Sequence, residues 1–516
     1  MFYKRLITIF AFSLVVHVIF ALPQKQPHTM DEAYNYINAV TLSKGEGLIE
    51  HFLWNYLDSP DRLPQPSNLY WMPLSSFIAW FGLQIGGISY SMAQIGFIIL
   101  AALLPVMGHV ITWHVSQNSR HAVCVAGLML FSGFYFSVWT SVDSFSPFAL
   151  CGMISLYAIW RGIESQSMTL RFWAGLSGIM AGLCHLARAD GILIIVTIVL
   201  GIIIARMRKI IDNRTLFRTS MYVIVGYMLI MFSWFSRNMY VMGMPLATGG
   251  GKTIWLRNYA EIFSYGHDLS LQYYFAWGWK SILKSKLSAC WINFQTLFAV
   301  QGLIVAFPLA IIGAWQKRHI LLFQIAYVYT ALLFIIMTIV FTYPGIRGGL
   351  FHSGGIILPF MFSMAMFGLD SVVDKIARQR RRWRAKSAKV VFSCGFIFIA
   401  ILVSLFVYYQ RFQAESQTNL GYAQAVQFLQ NESATVMVGN PPAWLYYGGY
   451  QAIIIPTESI EVTLTVADRY GATYLAIDSN FIYHPLQAYL SENTSQPRLQ
   501  LLGVFEGEMY LYRILH

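Results

Sequence analysis

The sequence predicts an α-helical polytopic membrane protein with about eleven transmembrane helices. Interfacial helices are expected in a long first outer loop, and a small α/β domain at the C-terminus. Three observations predict this. Charged residues make up only 11% of the chain and hydrophobic residues 57%, whereas a soluble domain is about one-quarter charged. Apolar runs of near-spanning length recur through residues 1–411. From 412 to 516 the composition turns water-compatible, and short β-branched runs alternate with turn residues.

The first run, Leu6 to Leu22, follows Lys4 and Arg5. A cleaved signal peptide shares this plan, but the length of the run and the many later runs favour a first helix with a cytoplasmic N-terminus. Further spans are expected near 89–115, 121–140, 145–162, 172–187, 190–206, 217–236, 288–314, 320–341, 352–373 and 389–409. The pair 172–187 and 190–206 flanks Arg188-Ala189-Asp190 and reads as two helices or as one broken span; the count of eleven takes it as two.

With the N-terminus inside, twenty of the 35 Lys and Arg residues fall on cytoplasmic stretches, as the positive-inside rule requires. The densest run, KIARQRRRWRAKSAK (375–389), then lies inside. It reads as a topology and anionic-lipid anchor rather than an RNA-binding segment, so no nucleic-acid partner follows from the net charge of +12. Cys124, Cys151, Cys184, Cys290 and Cys394 are scattered without CxxC spacing, which indicates neither a zinc site nor a disulfide framework.

Three outer stretches stand out. The first, 23–88, is too long for a simple connector. Its HTMDEAYNYINA segment places Asp31 and Glu32 beside the membrane surface, and Trp54, Tyr56, Tyr70, Trp71 and Trp80 mark short helices lying on the outer leaflet. The second, 237–287, holds GGGKTIWLRNYAEIFSYGHDL, and the third, 341–355, reads FTYPGIRGGLFHSGG. In the C-terminal domain, SATVMVGN, QAIIIP and Tyr474–Ile477 predict strands and VFEGEMYLYRI a hairpin. No GxGxxG or P-loop accompanies them. Asn431-Glu-Ser433 and Asn493-Thr-Ser495 fit the pattern of glycosylation acceptors.

Asp31, Asp143 (in TSVDSFSPFAL) and Asp190 (in LARADG) come from separate segments, yet the topology delivers all three to one face of the membrane. Carboxylates near hydrocarbon are costly and tend to mark function. Plain structural readings stand beside this. Asp31 is placed to cap the helix EAYNYINAV, and Asp143 to cap a helix with Pro147 in its first turns. Arg188 and Asp190 suit a local ion pair. His352 suits an interfacial hydrogen bond, and His267 with Asp268 a solvated loop pair. His17 and His109, inside spans, read as packing residues.

DEAYNYINA followed by a long loop ending in MPLSSFIAWFG resembles the opening of the GT-C membrane glycosyltransferases. VDSFSPFALCGMISLYAIWRG resembles their second outer-loop acid motif, and GLSGIMAGLCHLARADGIL their fifth and sixth spans. GGLFHSGGIILPF is similar to a late-loop motif of bacterial members. The protein O-mannosyltransferases and lipid A aminoarabinose transferases are nearest in style. The resemblance covers the membrane part and only weakly the C-terminal domain.

The resemblance implies an inverting enzyme that moves a hexose or pentose from a polyprenyl-phosphate-linked donor to an acceptor protein, lipid or glycan outside the membrane. Asp31 then matches the catalytic acidic position, with Glu32 orienting the acceptor, although the sequence leaves open which neighbour is the base. Asp143 completes the acidic set. Arg347 and His352, with Arg188, are the candidates for the donor phosphate, and His267 with Asp268 for the acceptor. Some members hold a divalent metal between two loop carboxylates and others need none; Asp31 and Asp143 are the ligands in the first case. The chain is then a multi-pass protein of the cell membrane, in contact with membrane lipids, with its C-terminal domain outside. The rival readings are a flippase or transporter of lipid-linked sugar, and a surface polysaccharide polymerase or ligase.

Overall fold

The computed structural model describes residues 2–58, 60–165, 167–341, 343–380, 383–429, 434–478, 484–489 and 496–515. Both glycosylation patterns, 431–433 and 493–495, lie outside the described residues.

The chain is a multi-pass membrane protein. Among the described residues, eight helices are long and apolar enough to cross a bilayer, and a ninth span arises if the pair Trp279–Gln301 and Ala306–Gln316, bent by 91°, counts as one. The expected segments 121–140 and 145–162 are not among these. In the first, the helix Ser119–Leu130 stops after 12 residues and gives way to a 3-10 turn at Gly133–Tyr135. In the second, the helix Phe145–Glu164 is long enough, but it does not pass as a span on composition. It is buried along nearly its whole length. Thr169–Ala187 and Ala189–Met207 are two helices, each long enough to span alone. Gly178 and Gly226 let the first of these approach the helix Asn213–Met242, since a Cβ on either would sit 2.1–2.3 Å from a facing backbone carbonyl oxygen.

The 23–88 connection does not simply lie on the surface. Its helix Met30–Ser43 starts at Thr29, whose side chain accepts from the Glu32 amide at 3.3 Å. Thr29, not Asp31, is thus the cap. Asp31 and Glu32 occupy the first turn, where carboxylates complement the helix dipole. Every residue from Glu32 to Thr41 is buried. The helix Leu74–Gly86 matches the interfacial expectation better, with Phe81 and Ile85 exposed on one face.

The same connection supplies three short strands, β1 (Ile49–Glu50), β2 (Phe52–Leu53) and β3 (Gln65–Pro66). The C-terminal domain supplies β4 (Thr435–Val438), β5 (Gln451–Ile454), β6 (Ala472–Ile477), β7 (Leu499–Phe505) and β8 (Met509–Ile514). The strands and closing hairpin expected there are all present. β1 pairs with β3, whereas β2 leaves the membrane part to join the domain's sheet, in the order β2-β5-β4-β6-β8-β7. Phe52 and Leu53 run parallel to Ala452 and Ile453. Tyr36 packs on Tyr446 at 5.6 Å, and Tyr56 donates to the Ile454 carbonyl. The C-terminal domain therefore forms the back of the acidic helix.

One helix of 44 residues, Ala385–Phe428, joins the last span to this domain. At 1.5 Å per residue it is about 66 Å long, about twice the hydrocarbon thickness. The boundary expected at 411/412 falls inside it. Its projecting end places Tyr422 against the sheet, where the hydroxyl donates to Asp478 at 3.1 Å. Asn440 and Asp478 follow β4 and β6, the point at which a doubly wound sheet opens its ligand crevice; here that point is occupied by Tyr422.

Candidate functional site

Several separate segments meet around one cavity of about 610 Å³ at one end of the bundle, and four of them carry residues singled out in the sequence. The acidic helix contributes Asp31. The turn before Phe145–Glu164 contributes Asp143. The break between two spans contributes Arg188 and Asp190, and the glycine-rich 341–355 segment contributes Arg347 and His352. Oxygens of Asp31 and Asp143 and a ring nitrogen of His352 all lie within 4.8 Å of one another. Positions 31, 143 and 352 are thus brought together, as the sequence reading required of the first two.

Local packing fixes each group. Asp143 is held by the Ser144 amide, which donates to Oδ1 at 2.5 Å; the helix start falls on Ser144, so Asp143 is not its cap. The His352 ring stacks on Phe145 at 4.7 Å, which sets the imidazole beside the carboxylate two residues earlier. Tyr135 donates to the Phe351 carbonyl at 2.7 Å and Tyr329 to the Ser353 carbonyl at 3.0 Å, anchoring the backbone around His352. At Gly349 a Cβ would come within 2.5 Å of Met337 and 3.1 Å of Asp190, so the segment can approach the cavity this closely only with glycine there.

Arg188 and Asp190 form the expected ion pair, with Nε donating to Oδ1 at 3.0 Å. Ser353 donates to the other Asp190 oxygen at 2.5 Å and accepts from Arg188 Nε at 3.2 Å, while Arg188 Nη1 reaches the Ser144 hydroxyl at 3.4 Å. This pair therefore locks the second and fourth segments together while still lining the cavity. Arg347 makes no ion pair among the described residues; its guanidinium lies 4.9 Å over the Tyr259 ring.

The two acidic neighbours have different surroundings. Asp31 lines the cavity and Glu32 does not. Glu32 is 1% exposed and takes bonds from the Tyr90 hydroxyl at 2.7 Å, the His28 amide at 3.0 Å and the Arg411 guanidinium. Burial alone would raise its pKa, but Arg411 overrides this and holds the carboxyl below its usual value. Asp31 is the reverse case. Burial, then the neighbouring Asp143, push it up to about 8, against the opposing pull of Arg188. Burial likewise raises Asp143. The site thus holds two carboxylates that resist simultaneous ionisation. Two carboxylates and one imidazole also form a donor set suited to a divalent cation.

His267 and Asp268 are not brought to the cavity. His267 faces Glu458 of the C-terminal domain at 3.7 Å. Arg237, Lys252 and Arg257 are committed elsewhere, to the Ser67, Leu57 and Tyr273 carbonyls respectively. The sequence reading missed Arg411, which lines the cavity from the last membrane helix. It also missed Asn35, Tyr259 and Tyr343. A lone arginine just past the final apolar run was the available signal for Arg411.

No family model matches the sequence, and no curated protein matches it. Solved structures do match. ArnT from Cupriavidus metallidurans bound to undecaprenyl phosphate superposes with a TM-score of 0.61 at 12% identity, over 99% of this chain and 98% of that one. The archaeal oligosaccharyltransferase AglB from Archaeoglobus fulgidus, in complex with an inhibitory peptide and a dolichol-phosphate, gives 0.60 at 12% identity over 93% and 70%. The mycobacterial arabinofuranosyltransferase AftD gives 0.54 at 12% identity, over 99% of this chain and 42% of that one. These structural neighbours are GT-C glycosyltransferases, and the likeness at this identity is one of fold.

Proposed function

We propose that the protein is an inverting glycosyltransferase that moves a sugar from a polyprenyl-phosphate donor to an acceptor hydroxyl at the outer face of the membrane. The observation that carries this reading is the meeting of Asp31, Asp143 and His352 within 4.8 Å in a large cavity at one end of the bundle. The cavity also has an apolar side, with Phe134, Val138, Met337, Phe341 and Val407, which suits an isoprenoid chain. The AglB and ArnT structures hold dolichol-phosphate and undecaprenyl phosphate, and we assign the same lipid-phosphate class to this cavity.

Asp31 is the general base. It takes the proton of the acceptor hydroxyl while that oxygen bonds to the anomeric carbon. The bond from carbon to phosphate oxygen breaks, and the polyprenyl phosphate leaves with the electron pair. Attack from the side opposite the phosphate inverts the anomeric centre. Arg347, uncommitted to any carboxylate among the described residues, neutralises the phosphate. A pKa near the working pH suits Asp31 to proton transfer. A divalent cation held by Asp31, Asp143 and His352 would, when bound, offset negative charge at the leaving phosphate.

The test is Asp31→Asn in purified protein supplied with a polyprenyl-phosphate sugar. Transfer is expected to collapse while the protein stays folded and still binds donor. Unchanged transfer removes the base assignment. Movement of labelled donor across vesicles with no glycoside formed replaces the enzyme reading with a flippase.

A further inference from the structure

The cavity has two chemically different ends. Arg347, Arg188 and Arg411 give one part of its wall positive charge. The 23–88 connection gives another part, built from Thr29, Asn35, Trp54, Tyr70, Trp71 and Ser75, in which every group is neutral. Asp31 stands beside this part, one helical turn from Asn35 and so on the same helix face.

Three features make the neutral wall a built subsite. The Trp54 and Trp71 rings stack at 4.0 Å with only 5° between their planes, and Tyr70 meets Trp54 edge-on at 4.9 Å, so the wall is a rigid aromatic surface. Ser75 is 1% exposed, and its hydroxyl has no hydrogen-bond partner among the described residues. A buried hydroxyl on a cavity wall without a partner is costly unless a ligand satisfies it. The remaining polar groups keep donors in reserve. Asn35 spends one amide hydrogen on the Asp31 carbonyl at 2.9 Å and accepts from Ser76 at 3.2 Å, which leaves its second hydrogen. Thr29 accepts from the Glu32 amide, which leaves its hydroxyl hydrogen.

We propose that this wall is the subsite for the transferred sugar ring, and that it selects a neutral polyhydroxylated sugar over amino sugars and uronic acids. This rests on the glycosyltransferase reading and adds the class of sugar. The aromatic surface takes the apolar C–H face of a pyranose or furanose. Ser75, Asn35 and Thr29 take its hydroxyls. A sugar carboxylate would lie beside the like charge of Asp31. A sugar ammonium would pair with Asp31 and remove the base from the reaction.

The experiment measures dissociation constants of the full-length protein in lipid nanodiscs for four probes. These are polyprenyl phosphate alone and the same lipid phosphate carrying a neutral hexose, a 4-amino sugar or a uronic acid. The neutral donor is expected to bind about tenfold more tightly than the bare lipid phosphate and the uronic-acid donor no more tightly than it, while the 4-amino donor, paired with Asp31, is expected to bind but to be transferred at least tenfold more slowly than the neutral one. Ser75→Ala is expected to weaken the neutral donor about fivefold, the effect of one neutral hydrogen bond, and to leave the bare lipid phosphate unchanged. Uronic-acid binding as tight as that of the neutral donor overturns the proposal, as does transfer of the 4-amino sugar at the neutral sugar's rate or a Ser75→Ala effect equal on donor and bare lipid. Failure of the bare lipid phosphate to bind overturns the donor reading itself, a result distinct from binding without discrimination among sugars.

Discussion

Arg411, on the last membrane helix, forms an ion pair with Glu32, which stands beside Asp31 on a helix 379 residues earlier in the chain. Arg411 Nη1 also donates to the Ser137 carbonyl at 2.9 Å. One guanidinium thus ties the acidic helix to the last span and to the segment leading to Asp143. Of the two adjacent acids, Glu32 is buried in this pair and Asp31 faces the cavity.

Removing Arg411 leaves a buried carboxylate without its cation. Breaking such a pair costs about 3–5 kcal/mol, whereas removing both partners costs less. Arg411→Gln is therefore expected to lower the midpoint of thermal unfolding in detergent. Glu32→Gln in the same chain is expected to recover part of the loss. A double-mutant cycle that gives simple additivity would mean that the two residues are not coupled.

The pH dependence follows from Asp31. Its carboxyl is raised to about 8 by burial and by Asp143, and a base acts in its ionised form. Transfer is therefore expected to rise with pH through about 8 and to level off above it, where an ordinary carboxylate, already ionised, would give a flat rate. Asp143→Asn removes the second cause of the shift, so the rising limb should move to lower pH in whatever activity remains. A rate flat from pH 6 to 9 in the wild-type protein would show that the acting base does not titrate there and would overturn the raised carboxyl of Asp31.

Two arginines of the cavity should separate by experiment. Arg347 is exposed and makes no ion pair among the described residues, whereas Arg188 holds Asp190, Ser144 and Ser353. Arg347→Ala is expected to raise KM for the donor about 10- to 150-fold, the effect of one charge-assisted hydrogen bond, with little change in thermal stability. Arg188→Ala is expected to lower stability as well, because Asp190 is left without its cation. If both variants lose stability equally, Arg347 has a structural role.

Much of this site was legible in the sequence because membrane topology sorts residues by side before any contact is known. Asp31, Asp143, Arg188, Arg347 and His352 sit at ends of apolar runs, and the topology puts all of them at one face. What the sequence hid was direction and pairing. Asp31 and Glu32 are adjacent, and only the helix phase set by the Thr29 cap decides which faces the cavity. Arg411 reads as an ordinary flanking charge until the fold brings Glu32 to it. The segments 121–140 and 145–162 read as uninterrupted apolar runs, whereas the first breaks at Phe131–Tyr135 and the second is buried along nearly its whole length. β2 is only two residues long, too short to carry an alternating pattern.

β2 leads to the last prediction. Phe52 and Leu53 are buried against a strand of the C-terminal domain, and Tyr36 of the acidic helix packs on Tyr446. Trp54 and Tyr56 share the same apolar cluster with Ile453, Ile454 and Leu464 of that domain. Deleting 412–516 would expose this surface and leave β2 without a partner strand. The truncated chain is expected to run as aggregate on size exclusion, and Tyr446→Ala in the full chain to cost about 1–2 kcal/mol, the low end for removing a large side chain because Tyr446 is half-buried. The domain thus acts on the site by holding the acidic helix from behind, a role that requires no contact with substrate. A truncated chain that stays monodisperse and transfers sugar at the full rate would show that the membrane part positions Asp31 without it.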